Sequence, residues 1–158
     1  MAVGTVSGIE PDDNWQLIAT STPSGTAAAT FTSIAGYKRL MVVWKTLTVG
    51  SLQWYQLRVN NDSTAGNYAS MNSYTFGDAN SSNNSIMITG ATRTNTSGML
   101  TIENANKSTP HPISNFASDI TNAATMGILT SDPITRVDIF ASGVNFTGGT
   151  VQLWGVAG

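Results

Sequence analysis

The side chains able to do acid–base or metal chemistry are few: nine carboxylates, seven Lys/Arg, a single histidine and no cysteine. A Ser-His-Asp triad would have to use His111, which stands between Pro110 and Pro112. Prolines stiffen the backbone and remove hydrogen-bond donors, and no Gly-x-Ser-x-Gly elbow accompanies the histidine. A structural or exposed loop histidine is the expectation. One histidine cannot make a three-histidine metal site, and the missing thiols exclude disulfides and thiolate sites. Glycoside hydrolysis needs two carboxylates flanking the scissile bond. Glu10 and Glu103 are the only glutamates, and Asp12, Asp13, Asp62, Asp78, Asp119, Asp132 and Asp138 fall mostly in turn-like segments, where aspartate serves the backbone. The segment Asn60–Gly66 clusters oxygen ligands, yet its glycine is misplaced for an EF-hand and no glutamate closes the loop; a hydrogen-bonded Asx turn is expected there. Walker loops, dinucleotide fingerprints and zincin motifs are absent from the sequence. These residues predict a protein that is not an enzyme and holds no metal.

The aromatic residues carry the remaining possibilities. Trp15, Trp44, Trp54 and Trp154, with Tyr37, Tyr55, Tyr68 and Tyr74, suit a sugar-stacking platform or, more commonly, a core and a subunit interface. Trp54 and Tyr55 are neighbours in a strand-like run, so they face opposite sides. One of them must turn away from the main core, which predicts a second buried surface such as a subunit interface.

The elements that position these groups read as strands. Good helix formers are rare, with two Glu and three Lys, and Thr, Val, Ile and aromatics fill the apolar runs. Strands are expected near 15–20, 26–33, 38–47, 51–60, 67–75, 85–90, 97–104, 112–119, 123–130, 134–141 and 149–156, eight or nine of them as main strands. Leu40, Val42 and Trp44 alternate with Met41, Val43 and Lys45, which predicts a central strand buried on both faces. The run 51–60 is expected to pair with 38–47 as a hairpin through a Val49-Gly50 turn. Val137 and Ile139 oppose Arg136 and Asp138; after a Gly/Asn-rich connection, Val151 and Leu153 alternate with Gln152 and Trp154. That period of two means a sheet with one buried face. Turn clusters include 94–98 and Gly148-Gly149, and the polar stretch 77–84 reads as a loop tip on the outer surface. Residues 27–29 read as strand by context, with a short helix as the alternative. Short strands at such spacing predict a sandwich or barrel. The chain stops almost directly after a core strand, as expected of a small all-β module that binds or builds.

The 158 residues suit one domain. With a net charge of −2, nucleic-acid binding through counterion release is not expected; Lys38-Arg39, the only adjacent basic pair, reads as the solvated start of a strand. The N-terminal residues have neither the charged lead nor the apolar core of a signal peptide. The longest apolar run, 40–44, is too short to cross a bilayer. The expectation is synthesis in a cytoplasm and no membrane partner.

The runs Tyr37–Trp44, Leu57–Tyr68 and Gly149–Gly155 resemble small β-sandwich virion proteins of tailed bacteriophages, a group that includes capsid decoration (cement) proteins and head- or tail-fibre modules. The resemblance spans about Trp15 to Gly155 and rests on strand-and-turn patterns. It implies a single-domain, all-β, jelly-roll-like antiparallel sandwich, often trimeric, without a cofactor. It also implies a tight polar turn over Asn60, Asp62, Asn67 and Tyr68, with a structural role. The sequence lacks the long shaft, collagen-like repeat and coiled coil of a fibre, which favours a compact protein seated on a shell. The expected organisation is an N-terminal arm over 1–14 and a sandwich over 15–158. The expected function is decoration of the outer capsid surface of a virion, clamping the major capsid protein where its subunits meet. Candidate contacts are Val3, Val6 and Ile9 of the arm, Trp15 as an anchor, and Trp54 and Tyr55. The rival reading is a receptor-binding module at a fibre tip that contacts host glycans.

Overall fold

A computed structural model describes residues 14–71, 79–89, 92–117, 125–128 and 132–158. The strands, in chain order, are β1 (Gln16–Ser21), β2 (Ala28–Phe31), β3 (Tyr37–Gln53), β4 (Tyr55–Val59), β5 (Tyr68–Met71), β6 (Ala79–Asn83), β7 (Ile86–Met87), β8 (Arg93–Glu103), β9 (His111–Ala117), β10 (Thr125–Ile128), β11 (Val137–Ala141) and β12 (Phe146–Ala157). The larger sheet runs β1-β12-β3-β8-β9-β10-β5-β6 and the smaller β2-β11-β4-β7. Every pairing is antiparallel.

The order has a simple logic. β1 pairs with β12, β2 with β11, β3 with β8 and β4 with β7, and each successive pair lies in the opposite sheet. A long antiparallel ribbon wrapped around a core gives this arrangement, which is the jelly roll. β9, β10, β5 and β6 extend the larger sheet beyond the eight strands of the roll. The all-β, jelly-roll-like sandwich expected from the sequence is the observed fold.

One core lies between the sheets. Leu40, Val42, Trp44, Leu100, Ile102, Val151 and Leu153 point inward from the larger sheet against Tyr55, Leu57, Val59, Ile86, Val137 and Ile139 of the smaller. Removing one such side chain down to alanine typically costs about 2–5 kcal/mol, because the cavity refills only in part. Inside the core Trp44 Nε1 donates to Thr96 Oγ1 at 3.3 Å, and the Tyr55 hydroxyl donates to the Leu47 carbonyl at 3.1 Å. Their polar tips are therefore satisfied where water is excluded.

Several local expectations are corrected. β3 does not turn at Val49-Gly50; Val49 is buried and pairs with Phe146, so the strand continues to Gln53. β3 and β4 consequently lie in different sheets and form no hairpin. Nor is β3 buried on both faces: Leu40, Val42 and Trp44 are buried, whereas Met41 and Val43 are only half-buried and Lys45 is exposed. A bulge after Trp44, with Thr46 at φ 48°, switches the inward set to Leu47 and Val49. Gly148-Gly149 belongs to β12 rather than to a turn. Gly149 has φ +108°, and a Cβ there would run into the backbone of Thr46 and Leu47. The expected turn at 94–98 lies within β8, and residues 79–83 of the expected loop tip form the outermost strand β6. The strand reading at 28–29, by contrast, is the observed one.

Candidate functional site

The outward face of the larger sheet carries an apolar stripe. Leu17 on β1 is opposite Trp154 on β12, and Trp154 is opposite Met41 on β3. The adjacent row sets Val43 on β3 opposite Met99 on β8. Leu17 is 48% exposed and Met99 38%, while Met41, Val43 and Trp154 are half-buried. These side chains form a stripe across four hydrogen-bonded strands, flanked by Gln152, Thr20 and Thr101. At the margin the Arg39 guanidinium lies 5.3 Å from the Trp15 ring centroid and its Nε donates to Glu103 Oε1 at 3.0 Å.

The outward face of the smaller sheet is charged. Thr30 on β2, Asp138 on β11 and Arg58 on β4 form one cross-strand row. The Asp138 carboxylate, on a residue only 5% exposed, accepts from Thr30 Oγ1 at 2.6 Å and from Arg136 Nε and an Arg136 terminal nitrogen at 2.8 and 2.9 Å. The hydrogen-bonded carboxylate raises the Arg136 pKa above its ordinary value. Arg58 lays its guanidinium over the Phe140 ring, 4.8 Å from the centroid, and donates from Nε to the Asn84 carbonyl at 3.2 Å. Between these groups and the small residues Ala27, Ala28 and Gly143 lies an open groove of about 420 Å³.

The polar turn after β4 holds this face in place. Asn60 and Asn61 have φ of 51° and 54°, and Asp62 N donates to Val59 O at 2.9 Å. Two successive left-handed residues make a type I′ turn, which asparagine tolerates. Asn60 Oδ1 accepts from Thr135 N at 2.8 Å and Arg136 N at 3.2 Å, and its Nδ2 donates to Pro133 O at 3.0 Å. Asn60 thus fastens the end of β4 to the segment that delivers Arg136 and Asp138. Asp62 accepts from Thr64 N at 2.8 Å and from Asn67 Nδ2 at 2.6 Å. These two bonds, that to Asn67 first, pull the Asp62 pKa below its ordinary value. The Tyr68 hydroxyl donates to the Asp62 carbonyl at 2.7 Å and accepts from Val59 N at 3.3 Å. Burial pushes its pKa up to about 12. Asn60 and Asp62 bond backbone groups, whereas Asn67 bonds the Asp62 carboxylate.

The remaining sequence candidates scatter. Val3, Val6 and Ile9 lie outside the described residues. Trp15 is half-buried beside Arg39, at the edge of the apolar stripe. Trp54 is half-buried at the corner between β3 and β4. Tyr55 is fully buried in the core and offers no surface to a partner; the expectation of an interface role for it is corrected, because β4 turns Tyr55 inward with Leu57 and Val59. His111 is buried, with Nε2 2.9 Å from the Asp132 carbonyl. Among the described residues no three His, Cys, Asp or Glu side chains gather as metal ligands would.

Two groups escaped the sequence reading. The stripe was visible only as the second apolar set of 38–47, and the charged row as single residues in separate runs. Comparison with protein-family models, curated proteins and solved structures finds no match for this chain.

Proposed function

We propose that this chain is a virion structural protein, a capsid decoration protein that binds and stabilises the major capsid shell of a tailed bacteriophage and itself assembles as a homo-oligomer, with a trimer favoured. The observation that carries the reading is the apolar stripe Leu17–Trp154–Met41 with Val43 and Met99 on the outward face of the larger sheet. Contiguous exposed apolar surface on a small protein marks a contact with another surface. Removing it from water supplies attraction without directional chemistry. Gln152, Thr20 and Thr101 at its edge suit the hydrogen-bonding rim of such a contact. The resemblance of 37–44, 57–68 and 149–155 to phage sandwich proteins supports the choice of a shell as partner. An oligomeric clip engages several capsid subunits at once, so modest contacts add to a firm hold.

The test measures native mass and co-sedimentation with undecorated capsids, for the full chain and for a form lacking residues 2–12. The full chain is expected to be oligomeric and to sediment with the capsid, and the truncated form to lose about tenfold or more in capsid affinity. A full chain that stays monomeric and ignores every virion component would end the reading; undiminished binding of the truncated form would remove the arm from it.

A further inference from the structure

We propose that the groove on the outward face of the smaller sheet binds a carboxylate-bearing sugar, with Arg58 as its anion-binding residue. The groove lies on the opposite sheet from the apolar stripe, so this site does not depend on the shell reading.

The charges in the groove are unequally used. The Asp138 carboxylate is taken up by Thr30 and by the two-pronged contact from Arg136, which leaves that arginine neutralised. Asp62, whose charge Arg58 feels, lies outside the groove lining, with its oxygens turned to Thr64 and Asn67. Arg58 is different. Its Nε is tied to the Asn84 carbonyl and its Cζ lies over the Phe140 ring, but its two terminal nitrogens bond no described residue. Among the residues that line the groove, Arg58 and Arg136 against Asp138, one positive charge is in surplus, and the Arg58 guanidinium is tethered at Nε. Contact with an aromatic ring strips water from part of the guanidinium and restrains it before a ligand arrives. A planar carboxylate matches that fork with two parallel hydrogen bonds, the strongest pairing open to it.

The rest of the groove suits a hydroxylated ring. A volume of about 420 Å³ falls within the range of small-ligand sites, roughly 300–1,000 Å³. Ala27 and Ala28 leave the wall without bulk, so a ring can approach the sheet. Asn61 stands exposed at the groove, and its amide bonds no described residue, so both its donor and its acceptor are open to sugar hydroxyls.

The test uses the full chain, with calorimetry and ligand-observed NMR against N-acetylneuraminic acid, glucuronic acid, glucose and inorganic phosphate. At least one of the two acidic sugars is expected to bind about tenfold or more tighter than glucose, because the Arg58 fork is left unpaired by the neutral sugar. Phosphate is expected to bind more weakly than that acid. Arg58→Met keeps an unbranched side chain of similar reach without the charge and is expected to lose about tenfold or more of the acid's affinity. Ala27→Trp fills the wall from an exposed position, removes no contact, and is expected to abolish binding even if Arg58→Met fails to fold. Equal binding of glucose, phosphate binding as tight as the acids, no binding of either acid, or undiminished acid binding by Ala27→Trp would each overturn the proposal. Any of those results leaves native mass and capsid binding, and with them the shell reading, as they were.

Discussion

On the larger sheet the outward row Leu17, Trp154, Met41 meets its surroundings with carbon; on the smaller sheet the outward row Thr30, Asp138, Arg58 meets them with polar groups, and Thr30 and Asp138 bond each other. Both rows run across three antiparallel strands on a pleated surface. Polar cross-strand neighbours satisfy one another within the protomer. Apolar neighbours on an outward face gain fully only when a second surface covers them. The first kind of row therefore stabilises the fold, and the second is the surface on which the proposed assembly rests.

The sharpest way to break that contrast is Asp138→Ala. It removes the three hydrogen bonds that the buried Asp138 carboxylate accepts from Thr30 and Arg136, and is expected to cost about 1.5–3 kcal/mol in urea unfolding. A change below about 0.5 kcal/mol, the range of ordinary surface substitutions, would mean that the charged row adds nothing to the fold. Asn60→Ala comes next. It removes the side-chain bonds to Thr135, Arg136 and Pro133, for an expected loss of about 1–3 kcal/mol by the same measurement. The combined change Leu17→Ser, Met99→Ser probes the other face. Its unfolding free energy, measured at concentrations where the chain is monomeric, is expected to stay within about 1 kcal/mol of the parent. Self-association or capsid binding should weaken about tenfold or more, as for truncation of interface anchors. Unchanged association together with a large stability loss would reverse the roles assigned to the two faces.

The smallest effect is a pH dependence. The folded state holds the Asp62 carboxyl below its ordinary pKa of 3.8. The stability it adds is present above that value and is lost as pH falls through the lower folded value. Melting curves of the parent and of Asp62→Asn should therefore differ at pH 7 and converge toward pH 2–3. A gap that widens on acidification would show that the carboxylate is not the favoured form in the fold.

Much of this fold was legible before any coordinates. The alternation in 137–139 and 151–154 identified Val137, Ile139, Val151 and Leu153 as inward, and all four are buried. Polar Asx-rich sequence at 60–67 marked the turn, because asparagine takes left-handed φ where most residues resist it. The same reasoning failed where glycine was read as punctuation. Gly50 and Gly149 sit inside strands, the second because the bulged backbone of β3 comes too close for any side chain. Alternation at 40–45 reports that two faces are apolar, not what covers the second, and so it overstates burial there.

Side-chain period two is local stereochemistry, so the sequence by itself determined that the fold would be all-β and which residues of β11 and β12 turn inward. Which strands become neighbours was decided only in three dimensions. The β3 and β4 runs adjoin in sequence but part between sheets, while Thr30 and Asp138 bond across a separation of 108 residues. Closing a long loop costs only slightly more than closing a short one, so sequence neighbours hold no decisive advantage as partners. The stripe and the groove are products of that pairing, and no single segment carries either.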